Sequence, residues 1–183
     1  MKPALGLVAA IQSEYISPEQ WISWADEQVM SLDPCPMWIM EMALARECES
    51  AMLALREFLM DRDFTKNIDE MILGLIYLLY SERRITFQDF LLRAGDHTDP
   101  SGSSHDCEYF YTILNDLESS RDSRGFEDSK ISQVEQDISH ALDLADAGIA
   151  QITPITEQDV AGNSDHSQGS LTESPGLIRW PRK

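Results

Sequence analysis

The ten residues from 71 to 80, MILGLIYLLY, restrict the fold of this chain more than any other feature of its sequence. They contain no charged side chain and no proline. Apolar side chains at helical spacing form a stripe that starts just before this segment and continues through it: Ile68, Ile72, Leu75, Ile76 and Leu79. Other apolar side chains cover much of the remaining circumference. A helix that is apolar nearly all round lies at the centre of a bundle, and this run is too short to cross a bilayer. The sequence therefore predicts a central helix covered by others.

Start signals on either side of this run are also helical. Ser17 is a good N-cap, Pro18 suits the first helical position, and Gln20 completes a capping box. Thr86 and Asp89 repeat the same pattern. A further helix is expected from about residue 36, continuing with a bend near residues 47–50 to Leu59. No segment alternates as a strand would, so we expect an all-α fold, a compact bundle of about five or six helices.

The composition divides the chain into three parts. Residues 1–120 are expected to form the helical domain. Residues 121–149 are expected to be a linker, rich in small and charged side chains, plus a possible amphipathic helix from about 130 to 148. Residues 150–183 are too poor in large apolar groups to offset the entropy of ordering, which predicts a disordered acidic tail.

The formal charge of −18 limits the possible partners. A chain this acidic is repelled by nucleic acid and by anionic lipid, and it attracts basic proteins. We therefore expect neither a nucleic-acid nor a membrane partner. The three cysteines are odd in number and lack CxxC spacing, and the N-terminal residues lack a signal-peptide pattern. Both observations favour a reducing, cytoplasmic location.

The segment GDHTDPSGSSHDCEYF, residues 95–110, concentrates groups that could carry chemistry. Read as a calcium loop with Gly102 at the required glycine position, it places Asp99, Ser101 and Glu108 at ligand positions, but His97 falls where the first carboxylate belongs. A second alternative is a zinc site whose ligand types would suit the metal; its candidate ligands are His97, His105, Cys107 and one of Asp96, Asp99 or Asp106.

Turn chemistry explains most of the same residues. Gly95 would end one helix, the TDPSG stretch would form a turn, and Ser103 or Ser104 would cap the next helix. Cys107 would face the core. This interpretation leaves His97 and His105 as exposed side chains without a structural reason. It predicts no catalytic residue, no bound metal and no cofactor, because His105 and Cys107 cannot face each other on one helix.

Residues 21–118 carry a resemblance to a known family. In WISWADEQVMSLDPCPMWIMEMALA, a tryptophan-led helix with an Ala-Asp pair precedes a proline turn and a helix that begins Trp-hydrophobic-x-Glu. The matching residues are Trp24, Ala25, Asp26, Pro34, Pro36, Trp38, Ile39 and Glu41. The segment resembles small acidic bacterial immunity proteins of polymorphic-toxin and contact-dependent inhibition systems. This resemblance implies a protein without enzymatic activity that neutralises a cognate toxin, in many cases a basic nuclease, by binding it.

The expected binding groups are exposed carboxylates near the two loops. Around the turn they are Asp96, Asp99, Asp106 and Glu108, and around the other loop they are Asp61, Asp63, Asp69 and Glu70. Two other functions remain open: a metal-dependent regulator or enzyme built on residues 96–108, and an acidic mimic of nucleic acid. A short basic and apolar sequence, IRWPRK at residues 178–183, could be a docking motif.

Overall fold

The structure, a computed structural model, describes residues 3–60, 67–100 and 104–152. In these ranges the chain forms ten helices and no strand, which confirms the all-α class. The helices are α1 (Pro3–Gln12), α2 (Pro18–Ser31), α3 (Met37–Leu44), α4 (Cys48–Ala54), α5 (Arg56–Leu59), α6 (Ile68–Ser81), α7 (Phe87–Thr98), α8 (Cys107–Ser119), α9 (Ser123–Asp137) and α10 (Ser139–Ile152). Their number exceeds the expected five or six.

Helix α6, which the apolar run predicts, lies at the centre of the fold. It is buried on nearly every side from Ile68 to Leu79. Helices α1 and α10 pack against it and against each other, and α7 covers a further side. The expectation of a central helix is confirmed.

Glycines allow the three central helices to approach closely. A Cβ atom on Gly74 would lie 2.2 Å from the carbonyl oxygen of Ala141 in α10. One on Gly6 in α1 would lie 2.5 Å from the carbonyl oxygen of Gly148. A side chain at either position would displace backbone, so the missing Cβ atoms determine how tightly α1, α6 and α10 pack.

Helices α7 and α8 add an aromatic cluster to the core. The ring of Phe90 is centred 5.3 Å from that of Tyr77 and 6.1 Å from that of Phe110. Gly95, expected to end α7, lies inside it instead, because α7 continues to Thr98. A Cβ atom on Gly95 would lie 2.6 Å from the ring of Tyr111. The glycine is therefore explained by helix packing rather than by helix termination.

Helices α2 to α5 pack in chain order: α2 contacts α3, α3 contacts α4, and α4 contacts α5. The expected capping box begins α2, where the backbone N–H of Ser17 donates to Gln20 Oε1 at 2.8 Å. The helix expected from about residue 36 to Leu59, with a bend near residues 47–50, is instead divided into α3, α4 and α5. One cause is tertiary: the indole N–H of Trp21 donates to the carbonyl oxygen of Ala45 at 2.9 Å, and Ala45 is extended.

The residues that follow α8 were expected to begin as a linker, but most of them are helical. Helix α9 begins at Ser123, where Asp122 accepts a hydrogen bond from the backbone N–H of Gly125 at 3.0 Å. The single amphipathic helix expected from about 130 to 148 is divided at Ile138 between α9 and α10, although Val134, Ile138 and Ala145 on its predicted apolar side are buried. Residues 150–152 of the predicted tail belong to α10, and its remaining residues, 153–183, lie outside the described residues. Among the described helices, none combines the length and apolarity needed to cross a membrane.

Candidate binding surfaces

Four of the predicted partner-binding carboxylates lie around the connection between α7 and α8. Asp96, Asp99, Asp106 and Glu108 are all exposed. Asp96 accepts a hydrogen bond from the hydroxyl of Tyr111 at 2.7 Å, and Asp106 accepts one from the backbone N–H of Glu108 at 3.0 Å. The N-cap of α8 is therefore Asp106, not Ser103 or Ser104. The described residues of this segment belong to two helices and the connection between them, as the turn interpretation predicts. The four carboxylates face solvent.

Glu70 is different, because it is not an exposed carboxylate as expected. The residue is buried, at 9% exposure. Its Oε1 atom accepts hydrogen bonds from the backbone N–H of Ser104 at 2.6 Å and from the Ser104 hydroxyl at 2.8 Å. Its Oε2 atom lies 3.3 Å from Nδ1 of His105. Glu70 thus links the start of α6 to the residues before α8.

The two histidines that turn chemistry left unexplained have long-range partners. His97 donates from Nε2 to the carbonyl oxygen of Asp69 at 2.9 Å. His105 donates from Nε2 to the carbonyl oxygen of Asp137, at the end of α9, at 3.1 Å. Both are half-buried. His105 satisfies a carbonyl at the C-terminal end of α9, and His97 joins α7 to the first turn of α6, so both residues have a structural reason. Asp69 is half-buried, and Asp61 and Asp63 lie outside the described residues.

The metal alternatives depend on whether the histidines, Cys107 and the aspartates converge. Among the residues that the structure describes, no three histidine, cysteine, aspartate or glutamate side chains form a group that could hold a metal ion. Ser101 and Gly102 of the calcium alternative lie outside the description. Partial burial and a hydrogen bond to Asp99 raise the pKa of the Cys107 thiol, which disfavours the thiolate needed in a nucleophile.

Tyrosine hydroxyls bond to carboxylates throughout the protein. All five tyrosines of the sequence donate to an aspartate or glutamate, at 2.5 to 2.7 Å. The pairs are Tyr15–Glu82, Tyr77–Glu135, Tyr80–Glu127, Tyr109–Asp137 and Tyr111–Asp96. In a chain with few cations, phenols thus supply donors that arginine or lysine supplies elsewhere. These bonds connect α8 with α7 and α9, and α6 with α9.

The stability of the protein is expected to fall at alkaline pH because of these pairs. Burial and the hydrogen bond to Glu135 raise the pKa of Tyr77, and the bond to Asp96 raises the pKa of Tyr111 to about 12. A tyrosine whose pKa is higher in the folded state stabilises that state fully below its unfolded pKa of about 10. The contribution is lost as pH rises through the folded pKa. Urea unfolding between about pH 7 and 12 should show this loss. A Tyr77→Phe variant should show a shallower decline, and an equal decline in both proteins would contradict the account.

Large apolar side chains are exposed in one part of the described structure. Seven of the eight such residues lie between residues 30 and 60. They are Met30, Leu32, Met37, Met40, Leu44, Leu53 and Met60. We call the three on α3, Met37, Met40 and Leu44, the methionine–leucine surface. Met37, Met40 and Leu44 recur at helical spacing along α3, whose opposite side buries Ile39 and Met42. Helix α3 is therefore apolar on two sides, and only one of them is covered.

Exposed charges around this surface are mostly acidic. Residues 18–60 contain eight exposed carboxylates and two arginines; the carboxylates are Glu19, Asp26, Glu27, Asp33, Glu41, Glu47, Glu49 and Glu57. The surface escapes sequence-based prediction because α3 could equally have been buried all round. The signal that could have revealed it is that MWIMEMAL, the sequence of α3, has Glu41 as its single polar residue.

Comparison with models of protein families, with curated proteins and with solved structures gives no match. The resemblance of residues 21–118 to immunity proteins is therefore a prediction from the sequence.

Proposed function

We propose that this protein is an immunity-type inhibitor, which binds a basic toxin domain and occludes it without catalysing a reaction. The observation that carries the proposal is the placement of the charge. Residues outside the description contain six acidic and six basic side chains, so the whole formal charge of −18 lies on the described helices and their connections. A surface with so large an excess of negative charge steers a basic partner toward it and repels nucleic acid.

Among the described residues, few carboxylates lie beside a cation. Arg84–Glu82 and Arg93–Glu14 have nitrogen–oxygen distances within 4 Å, and Nδ1 of His105 lies 3.3 Å from Glu70. Three of the exposed groups at the α7–α8 connection accept hydrogen bonds from other donors: Asp96 from a phenol, Asp99 from a thiol and Asp106 from a backbone N–H. Each of these carboxylates, and that of Glu108, could form an ion pair with an incoming lysine or arginine.

Removing charge at the α7–α8 connection should weaken binding more than removing it elsewhere. We expect a triple variant, Asp96→Asn with Asp99→Asn and Glu108→Gln, to raise the dissociation constant for the toxin at least about tenfold, mainly through a slower association rate. Asp106 is left intact because it caps α8. The matched control is Asp116→Asn with Asp128→Asn and Asp143→Asn, which removes the same charge from other exposed positions.

Affinity purification of the tagged chain from its own cells at low salt tests the proposal itself. The expected result is one basic protein that is released as salt rises. Recovery of no partner would contradict the proposal, and recovery of many unrelated nucleic-acid-binding proteins would instead favour a nucleic-acid mimic. Equal affinities of the triple variant and its control would place the interface elsewhere on the surface.

A further inference from the structure

The methionine–leucine surface has the composition of a docking site rather than of ordinary solvent-facing helices. Met37 is 66% exposed and Leu44 is 76% exposed on the outer side of α3. Clustered exposed apolar side chains mark interaction sites, and methionine adapts its shape to differently shaped ligands.

The surface is also supported by fixed structure. The indole of Trp24 stacks on Trp38 of α3 at 6.1 Å between ring centroids, and Trp38 contacts Phe58 of α5 edge-on at 5.4 Å. Together with the Trp21–Ala45 hydrogen bond, these contacts anchor the inner side of α3. Among the described residues, the outer stripe is therefore held in place through the core contacts of the inner side of α3.

Charge complementarity selects among the possible occupants. A second copy of this chain would bring two bodies of charge −18 together, which is unfavourable. Residues 153–176 contain four acidic side chains and no basic one, so they are also repelled. Residues 177–183, LIRWPRK, contain three cations and no carboxylate side chain, together with Leu177, Ile178 and Trp180. This segment matches both the apolar side chains of the surface and the acidic groups around it.

The intervening chain is long enough for contact within one molecule. Twenty-four residues separate Ile152, at the end of α10, from residue 177. They can span up to about 80 Å, whereas a compact chain of 183 residues has a radius of gyration of about 16 Å. A tether of this kind also gives the segment a high effective concentration at the surface.

We propose that residues 177–183 bind to the methionine–leucine surface of the same molecule, with the apolar groups of the segment on α3 and its cations toward the surrounding carboxylates. The segment covers a surface that an external basic and apolar partner could also use, so such a partner would have to displace it. This contact does not depend on the immunity function, and it is expected even if the protein binds no toxin.

Fluorine NMR of the full chain labelled with 5-fluorotryptophan tests the contact. Trp180 is one of four tryptophans, and its signal can be assigned with a Trp180→Phe variant. We expect this signal to differ from that of a labelled synthetic peptide of residues 171–183. In a Met40→Gln, Leu44→Gln variant it should move to the peptide position. The matched control is Leu92→Gln, which alters an exposed leucine of α7 and should leave the signal unmoved.

A reciprocal measurement leaves the surface itself unaltered. In an Arg179→Glu, Arg182→Glu variant, the methyl signals of Met37 and Met40 should shift, while that of the buried Met71 should not. A Trp180 signal at the peptide position in the unaltered chain, or unmoved methionine signals, would overturn the proposal. So would a Trp180 signal that depends on protein concentration, because it would indicate binding between copies.

Discussion

A Gly74→Ala variant is expected to lose about 3 kcal/mol of its free energy of unfolding. The added Cβ atom would lie 2.2 Å from the carbonyl oxygen of Ala141 and 2.8 Å from Cβ of Ala145. Relief requires moving α10 away from α6, which opens the centre of the core. On an exposed helix the same change would instead stabilise by about 1 kcal/mol. Urea unfolding followed by circular dichroism measures the change in the free energy of unfolding. A decrease indicates crowding between α6 and α10, and an increase indicates that only helix propensity has changed.

The control for Gly74→Ala is Ala147→Gly, at an exposed position of α10. This variant changes helix propensity without changing the packing of α6, so it should lose about 1 kcal/mol. If Gly74→Ala were as stable as the unaltered chain or more so, the close approach of α6 and α10 would be refuted.

A Glu70→Ala variant is expected to lose about 2 kcal/mol of its free energy of unfolding. The substitution removes the acceptor for the backbone N–H and hydroxyl of Ser104 and the carboxylate beside His105. The Ser104 donors are partly shielded by the contact, and shielded donors left without acceptors cost more than the net gain of the bonds themselves. The loss would be measured by the same urea unfolding, near neutral pH.

Two variants separate this role of Glu70 from a simple effect of charge. Glu70→Gln keeps an acceptor for Ser104 and should lose less than Glu70→Ala. Glu108→Ala removes an exposed carboxylate from the first turn of α8 and should change stability by no more than about 0.5 kcal/mol. Equal, small effects of Glu70→Ala and Glu108→Ala would show that Glu70 is not part of the structural framework.

The parts of the fold that local sequence determines could be predicted. The central helix follows from apolar side chains around nearly the whole circumference of residues 71–80. The starts of α2 and α7 follow from capping boxes, since the residues that form each box are three positions apart. In α7 both hydrogen bonds of the box form, each at 3.1 Å. The backbone N–H of Thr86 donates to the Asp89 carboxylate, and the backbone N–H of Asp89 donates to the Thr86 hydroxyl.

Breaks that depend on distant residues could not be predicted. The helix expected from residue 36 ends at Leu44, and the Ala45 carbonyl that follows bonds to Trp21, 24 positions earlier. In the sequence, Gly95 has the pattern of a helix end. The contact with the ring of Tyr111, which explains the glycine, is visible only in the structure. The same limit explains His97 and His105, whose partners lie 28 and 32 positions away in sequence.

The candidate site was predictable only in part. Turn composition correctly placed Asp96, Asp99, Asp106 and Glu108 at an exposed helix connection, but it also grouped the buried Glu70 with them. Burial of a carboxylate requires partners from another segment, here Ser104 and His105, and no local pattern reveals them. The methionine–leucine surface has the opposite cause: its residues look like core, and only the arrangement of helices leaves them uncovered.

Growth of cells that express a toxin domain encoded beside this gene, with and without this protein, tests the central claim most directly. The proposed inhibitor should restore growth to the level of cells without toxin. The triple variant of Asp96, Asp99 and Glu108 should protect less well than the control variant when both accumulate to equal amounts. Growth that this protein does not improve, although both proteins are produced, would contradict the account.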